Sequence, residues 1–152
     1  MTKEWDMKYM KLAREVSSWS KDPSSQIGAI AIGEHGQVLA QGYNGFPRGV
    51  RDDMNRYLNR EIKYDFIVHA EMNCIYNASF NGVSLKNSTI YVHGLPVCHE
   101  CAKGIIQVGA KRVITDTPNL SGERWFDSCQ KATDMFMEVG IEYHYLGGLQ
   151  TH

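Results

Sequence analysis

The segment from His69 to Cys101 constrains this chain more than any other, because it carries the side chains of a metal site. It contains the patterns His69-x-Glu71 and Cys98-x-x-Cys101. One imidazole and two thiols can hold a Zn²⁺ ion and leave its fourth position open for water. A carboxylate two residues after the imidazole can move the protons of that water. We therefore expect His69, Cys98 and Cys101 to bind zinc and Glu71 to be the catalytic residue.

The placement of these residues at the starts of two predicted helices supports the same site. Cys98 and Cys101 lie three residues apart on a helix predicted over 98–108, so their thiols share one face. The positive end of the helix dipole favours the thiolate forms that bind metal. His69 begins a second predicted helix, which runs to Phe80. Where the two helix N-termini meet, all three ligands surround one ion.

Glu71 occupies an unusual position for a carboxylate. The buried face predicted for its helix includes an acid, because the spacing i, i+3, i+4, i+7 falls on Glu71, Cys74, Ile75 and Ala78. Burial of a carboxylate is costly unless the group has a partner. This placement favours a catalytic role for Glu71.

A closed structural zinc site is the alternative interpretation, and it requires a fourth protein ligand. His93 and His99 are the near candidates in the sequence. His99 lies between the two cysteines and, on a helix, is expected to point away from the face that they share. The spacing therefore favours an open, catalytic site.

Composition limits the class of substrate. With 152 residues the chain is expected to form a single domain over 1–152, and 43% hydrophobic with 22% charged residues is ordinary for a globular protein. The net charge of -1 provides no global basic face, which favours a small-molecule substrate over nucleic acid. No stretch approaches the roughly 20 apolar residues of a membrane span. Reduced thiols and a cytoplasmic location are expected, because the sequence shows no secretion signal.

Hydrophobic periodicity predicts an α/β protein. The predicted order is α-β-β-(loop)-α-β-α-β-α-β, in which segment 44–66 is irregular or contains a small helix. This order predicts a three-layer α/β/α sandwich with one hairpin followed by parallel crossovers. In the first helix the predicted inward residues are Trp5, Tyr9, Leu12, Ala13 and Val16, and in the helix over 123–139 they are Trp125, Cys129, Ala132, Phe136 and Val139.

Three motifs resemble those of a known family. The loop from Gly42 to Gly49 is similar to G-Y-N-G-x-P-x-G, and the segment from His69 to Ile75 resembles H-A-E-x-N-A-I. The segment after Cys101 also matches. On these motifs the chain resembles the cytidine and deoxycytidylate deaminase superfamily and, within it, the deoxycytidylate (dCMP) deaminases. One departure is Val97, which separates the usual proline from the first zinc cysteine.

The resemblance implies a reaction and a fold. It implies the zinc-dependent hydrolysis of dCMP to dUMP and ammonia, which feeds thymidylate synthesis, on a five-stranded mixed sheet of the cytidine deaminase-like type. Glu71 would be the proton shuttle. The backbone N–H of Ala70 would bind the cytosine O2 and Asn44 the sugar. A homo-oligomer, often a hexamer, is also implied.

The resemblance further implies regulation, with activation by dCTP together with Mg²⁺ and inhibition by dTTP. Some of Arg48, Arg51 and Arg56, in or just after the glycine-rich loop, and Lys21, before the first strand, are expected to bind the substrate phosphate or an effector triphosphate. The alternative for any one of them is a solvated loop of mixed charge. The candidate effector residues are Gly42, Tyr43, Gly45, Arg48 and Arg51.

Two other functions are compatible with the same zinc motif. One is a tRNA-adenosine or guanine deaminase, and the near-neutral charge disfavours the tRNA version. The other is a non-catalytic, zinc-stabilised nucleotide sensor. Glu71 disfavours the sensor, because a structural site does not need a carboxylate on the buried helix face.

Overall fold

A computed structural model of the chain describes residues 2–118 and 123–147. The helices are α1 (Lys3–Ser17), α2 (Met54–Leu58), α3 (Arg60–Phe66), α4 (Ala70–Phe80), α5 (His99–Gln107) and α6 (Glu123–Val139). The strands are β1 (Gly28–Ile32), β2 (Val38–Tyr43), β3 (Thr89–His93), β4 (Arg112–Thr115) and β5 (Glu142–Tyr145). Segment 44–66 thus contains two short helices in addition to irregular backbone.

The strands form one five-stranded mixed sheet in the order β2-β1-β3-β4-β5. β1 pairs antiparallel with both β2 and β3, whereas β3, β4 and β5 run parallel. The predicted hairpin and the later parallel crossovers are therefore confirmed. All five residues of β1 are buried, as expected for a strand with helices on both faces.

Two separate cores show that the sandwich has three layers. On one face of the sheet, Ile30 and Tyr91 pack with the apolar residues of α1. On the other face, Ala29 and Val92 pack with residues of α4, α5 and α6. Successive strand residues point to opposite faces, so each strand contributes to both cores. The predicted three-layer α/β/α sandwich is confirmed.

Two glycines allow helices to approach the sheet closely. A Cβ atom on Gly28 would lie 2.1 Å from the carbonyl oxygen of Ala13 in α1. A Cβ atom on Gly42 would lie 2.3 Å from the backbone nitrogen of Cys74 in α4. Both positions therefore require glycine, and the second fixes α4 directly against β2.

Four residues predicted to face inward are instead exposed: Trp5, Leu12, Trp125 and Val139. In α1 the buried face is rotated towards Met10 and includes an acid, Asp6, which hydrophobic periodicity could not reveal. Val139 lies in the last turn of α6, where the helix ends. The remaining predicted inward residues of the two helices are buried.

Asp6 belongs to a closed polar network between α1 and the sheet. Arg112 donates two hydrogen bonds to its carboxylate, at 2.9 and 2.6 Å, and the Tyr91 hydroxyl donates a third at 2.5 Å. Burial raises the pKa of Asp6, but the hydrogen bonds from Arg112 and Tyr91 outweigh that effect and lower it. The carboxylate is therefore ionised and fully paired.

All four cysteines are buried and none forms a disulfide, as expected. A membrane span needs a longer apolar run than any helix within the described ranges provides. A single domain over 1–152 stays a prediction, since it includes residues outside the described ranges.

Candidate active site

The N-termini of α4 and α5 bring the predicted metal ligands together. His69 is the N-cap of α4, and Cys98 is the N-cap of α5. Cys101 lies in the first turn of α5, where its backbone N–H donates to the Cys98 sulfur. The ligand atoms of these three residues all lie within 4.8 Å of one another. The structure therefore assembles the predicted set from two segments that are remote in the sequence.

The spacing of these atoms fits a zinc ion. The Nδ1 atom of His69 lies 3.3 Å from the Cys101 sulfur and 3.6 Å from the Cys98 sulfur. Zn–N and Zn–S bonds of usual length at a tetrahedral angle would separate these atoms by about 3.6 Å. The donor set therefore needs little rearrangement to hold the metal.

The two thiols differ in their tendency to ionise. A hydrogen bond with the Cys101 side chain, aided by His69, lowers the pKa of Cys98 to about 4. The same contact, together with burial, raises the pKa of Cys101 well above its usual value. The hydrogen bond to Cys98 raises the pKa of His69. Cys98 therefore ionises more readily than Cys101, and zinc binding requires Cys101 to lose its proton.

Glu71 is 4% exposed and lies beside the ligand set. Burial raises the pKa of its carboxyl group to about 7, and neighbouring His69 opposes the shift. All four members of the predicted helix face are buried. A carboxyl group with a pKa near neutrality can both accept and donate a proton, which suits a general acid–base role.

The two histidines considered as a fourth ligand point elsewhere. The His99 imidazole contacts the Ser128 hydroxyl at 2.8 Å, and His93 contacts the Asp116 carboxylate. In the part of the chain that the structure describes, the metal-ligand group contains His69, Cys98 and Cys101 alone. The described residues therefore leave one coordination position open.

A cavity opens beside this group. Its lining includes the predicted residues Asn44, His69, Ala70, Glu71 and Cys98. No sequence pattern placed the other lining residues at the site: Asp22, Ser25, Ile27, Lys63, Tyr64, Ile67, Leu95, Pro96 and Trp125.

Trp125 and Lys63 line the cavity, but the local sequence around each gave no sign of it. Trp125 follows the apolar period of α6, so periodicity assigned it to the core, but it lies at the start of the helix beside the cavity. Lys63 lies among the charged residues of segment 44–66, and no local pattern distinguishes it from its neighbours. A contact with Asp22, 41 positions away in sequence, brings it to the site.

Asn44 holds two loops of the cavity wall together. Its Oδ1 atom accepts a hydrogen bond from the Ile27 N–H at 2.9 Å, and its Nδ2 atom donates to the Ser25 carbonyl at 2.8 Å and to Asp22. An amide oxygen has two lone pairs. Asn44 can therefore brace the wall and still accept one hydrogen bond from a bound molecule.

The five candidate effector residues separate in space. Tyr43, Gly45 and Arg48 line a second cavity, whose wall also includes Asn73, Tyr76 and Asn77 of α4. The Arg48 guanidinium donates to the Asn77 side chain. Gly42 is covered by the backbone of α4, and Arg51 is exposed with its guanidinium 3.6 Å from the Asp53 carboxylate.

Comparison with known proteins decides the family. The profile described as the cytidine and deoxycytidylate deaminase zinc-binding region matches residues 3–117. The chain belongs to this deaminase family. A deaminase of Aliivibrio fischeri, described as uncharacterised, is 38% identical over 149 residues, which span 96% of each chain. The deoxycytidylate deaminase of Mus musculus is 40% identical over 116 residues, which span 73% of this chain and 64% of the mouse enzyme.

Solved deaminase structures confirm the fold. The dCMP deaminase of cyanophage S-TIM5, solved in complex with dCMP and dUMP, has a TM-score of 0.77 and 28% identity to this deaminase. The match covers 94% of this chain and 97% of the phage chain. The family and the cytidine deaminase-like fold predicted from the motifs are therefore confirmed.

Proposed function

We propose that this deaminase converts dCMP and water to dUMP and ammonia with a bound zinc ion. One observation carries the proposal: a buried carboxyl group with a raised pKa, Glu71, lies beside an open His69, Cys98 and Cys101 ligand set in one cavity. A structural zinc site would need a closed ligand set and no such acid.

The residues of the chain divide the reaction among them. Zinc held by His69, Cys98 and Cys101 would lower the pKa of a coordinated water. Glu71 accepts a proton from the attacking water and transfers it to the ring nitrogen beside the attacked carbon. Glu71 then takes the second proton from the oxygen now bonded to that carbon and transfers it to the amino group, and the C–N bond breaks to release ammonia. One oxygen is gained and one nitrogen is lost, with no change in oxidation state.

Two further residues orient the substrate in this proposal. The backbone N–H of Ala70 donates to the cytosine O2, and the carboxamide of Asn44 accepts a hydrogen bond from the sugar hydroxyl. Both residues line the cavity that contains Glu71. The remaining lone pair on the Asn44 oxygen supports this role.

The substrate assignment draws on relatives. The mouse enzyme of 40% identity is a deoxycytidylate deaminase, and the phage structure of 28% identity contains dCMP and dUMP. The absence of a net positive charge supports a mononucleotide over a nucleic acid.

Regulation and assembly form a finer part of the proposal. We assign a nucleoside triphosphate effector, dCTP with Mg²⁺ or dTTP, to the cavity lined by Tyr43, Gly45 and Arg48. Gly42 supports it by close packing against α4, and the exposed Arg51 side chain, beside Asp53, would supply a further positive charge for the phosphates. A hexamer and a cytoplasmic location complete the proposal, and four cysteines without disulfides suit a reducing compartment.

A substrate panel tests the function. The purified zinc-loaded protein is assayed for ammonia release from dCMP, CMP, dCTP, cytidine, guanine and a tRNA anticodon stem, each with and without dCTP and Mg²⁺. We expect the highest kcat/KM for dCMP and a sigmoidal dCMP titration that becomes hyperbolic with dCTP. A preference for guanine or tRNA would overturn the substrate assignment, and curves unchanged by dCTP and dTTP would remove the effector site.

A further inference from the structure

Lys63 is the only lysine or arginine among the described residues that line the active-site cavity. It belongs to α3, and its neighbour Tyr64 lines the same cavity. Two residues of the turn before β1, Asp22 and Ser25, form an adjoining part of the wall. This part of the cavity comes from segments that carry none of the zinc ligands.

The ammonium group of Lys63 is held in a defined position. Its Nζ atom donates to the Ser24 hydroxyl at 2.8 Å and lies 3.2 Å from the Asp22 carboxylate. The side chains of Lys63 and Asp22 are only 12% and 3% exposed. A lysine ammonium has three N–H donors. Both oxygens of the Asp22 carboxylate are close to the Lys63 Nζ atom, Oδ2 at 3.2 Å and Oδ1 at 3.4 Å, and one N–H can serve them together. A second N–H serves Ser24, so among the described residues a third N–H remains that can point into the cavity.

The carboxylate that holds Lys63 is itself fixed. The Asp22 Oδ1 atom accepts hydrogen bonds from the backbone N–H and the hydroxyl of Ser24, each at 2.9 Å. Burial raises the pKa of Asp22, but the bonds from Ser24 and Lys63 outweigh it and lower the pKa. Asp22 therefore stays ionised and keeps the lysine charge beside the cavity at neutral pH.

The position of the Lys63 charge is suited to binding a phosphate group. A nucleotide that enters the cavity base first must place its phosphate in a wall that already contains two acids, Asp22 and Glu71. A phosphate dianion in such a cavity requires a cation, and charge-assisted hydrogen bonds are the strong ones. Asn44 touches Asp22 and is the residue assigned to the sugar, so the wall beside it is where the 5′-phosphate would lie.

We propose that Lys63 binds the 5′-phosphate of the substrate and thereby selects nucleotides over nucleosides, with Asp22 and Ser24 positioning its ammonium group. The inference rests on the proposed function of the same site. It extends that function by naming the group that distinguishes dCMP from deoxycytidine. An ion pair that only joined α3 to the Asp22 turn would not affect that distinction.

Paired substrates test the assignment. The variant Lys63→Met keeps most of the apolar stem but removes the charge. We expect kcat/KM for dCMP to fall about 10- to 100-fold, the usual cost of losing a hydrogen bond to a charged group, while kcat/KM for deoxycytidine changes less than about threefold. Lys63→Arg restores part of the preference for dCMP. Zinc content and Tm are measured for each variant.

The chain offers a matched control in Lys21→Met. Lys21 forms an ion pair of 3.1 Å with Asp52 next to the same turn, but its side chain is 63% exposed and does not line the cavity. This variant should keep the dCMP preference of the wild type. Competition supplies a second measurement: in Lys63→Met the inhibition constant of dUMP rises about tenfold and that of deoxyuridine does not change.

The outcomes are separable. Equal losses for dCMP and deoxycytidine in Lys63→Met, or an unchanged dUMP inhibition constant, would overturn the phosphate role and leave a structural ion pair. If the wild type fails to deaminate dCMP at all, the proposed function itself fails, whatever Lys63 does. A wild type that prefers dCMP, with the preference lost in Lys63→Met alone, supports both.

Discussion

Each face of the sheet buries a carboxyl group, and the surroundings shift the pKa values of the two groups in opposite directions. On the α1 face, Asp6 receives three hydrogen bonds, two of them from a guanidinium, and its pKa is lowered. On the α4 face, burial raises the pKa of Glu71 to about 7. Among the described residues that line its cavity, the one lysine or arginine is Lys63, and Lys63 pairs with Asp22.

The difference distinguishes a structural acid from the acid that we propose to be catalytic. Asp6 is compensated within the fold, so its ionisation stabilises the protein. Glu71 is buried at a cost that the fold does not offset, which is the arrangement expected where a group must exchange protons. Three variants and one change of pH test this contrast.

The largest effect should come from removing a ligand on the α4 face. Cys98→Ala leaves two zinc ligands, so we expect substoichiometric zinc, no measurable turnover and a lower Tm. Metal analysis, a dCMP assay and thermal unfolding measure the three effects. Cys74→Ala, a buried cysteine on the core side of α4, is the control and should keep its zinc. A folded Cys98→Ala protein with one zinc per chain would show that the ligand assignment is wrong.

Glu71→Gln should lose activity without losing the metal. The amide keeps the shape of the side chain but cannot shuttle protons, so kcat should fall by about 10² to 10⁴. The Tm should hold or rise, because an acid buried at a cost is replaced by a neutral group. Normal turnover in a zinc-loaded Glu71→Gln protein would sink the proposed mechanism.

Asp6→Asn should have the opposite signature. Removing one partner leaves the Arg112 charge without its counter-ion, and the free energy of unfolding should fall by about 3 kcal/mol, as for other buried pairs. The kcat of the folded protein should remain within about twofold of the wild type, since Asp6 lies across the sheet from the site. Urea unfolding and a dCMP assay measure the two quantities.

An exposed ion pair supplies the control for Asp6→Asn. Asp127 and Lys131 lie 3.0 Å apart on α6 with more than half of each side chain exposed. Asp127→Asn should therefore change stability by less than about 1 kcal/mol. Equal losses for the two variants would mean that the Asp6 network contributes no more than a surface pair.

The smallest expected effect is on how the free energy of unfolding depends on pH in the acid range. The folded-state pKa of Asp6 lies below its usual value, so its stabilising contribution is complete above the unfolded-state pKa and is lost as pH falls through the folded-state pKa. Urea unfolding between about pH 3 and pH 6 should show a weaker pH dependence in Asp6→Asn than in the wild type. An identical slope in both proteins would remove Asp6 as a source of acid sensitivity.

The parts of the site that were predicted are those with local signatures. Cys98 and Cys101 share a helical turn, and Glu71 lies on a helix face with regular apolar spacing. Short-range spacing therefore located the cysteine pair and the carboxylate. The meeting of His69 with the two cysteines required tertiary structure, but the chemistry of zinc demanded it. Likewise, alternation and turn residues predicted the five strands of the sheet.

What escaped prediction depends on long-range partners. Asp6 and Arg112 are 106 positions apart, and an acid on an apolar helix face carries no local mark of a partner. The exposed positions of Trp5 and Leu12 follow from the same rotation of α1. Lys63 required Asp22, and Trp125 required knowledge of where α6 begins relative to the cavity.

Because all four cysteines are buried, the outer surface of this protein offers almost no thiol to alkylating reagents. Cys74, Cys98, Cys101 and Cys129 are all less than 10% exposed. An alkylating reagent can therefore reach Cys74, Cys101 and Cys129 only when the structure opens, so their reaction rate reports local unfolding, whereas Cys98 lines the active-site cavity. A single cysteine introduced on an exposed helix face would be labelled selectively, which makes the chain a convenient carrier for a fluorophore or spin label.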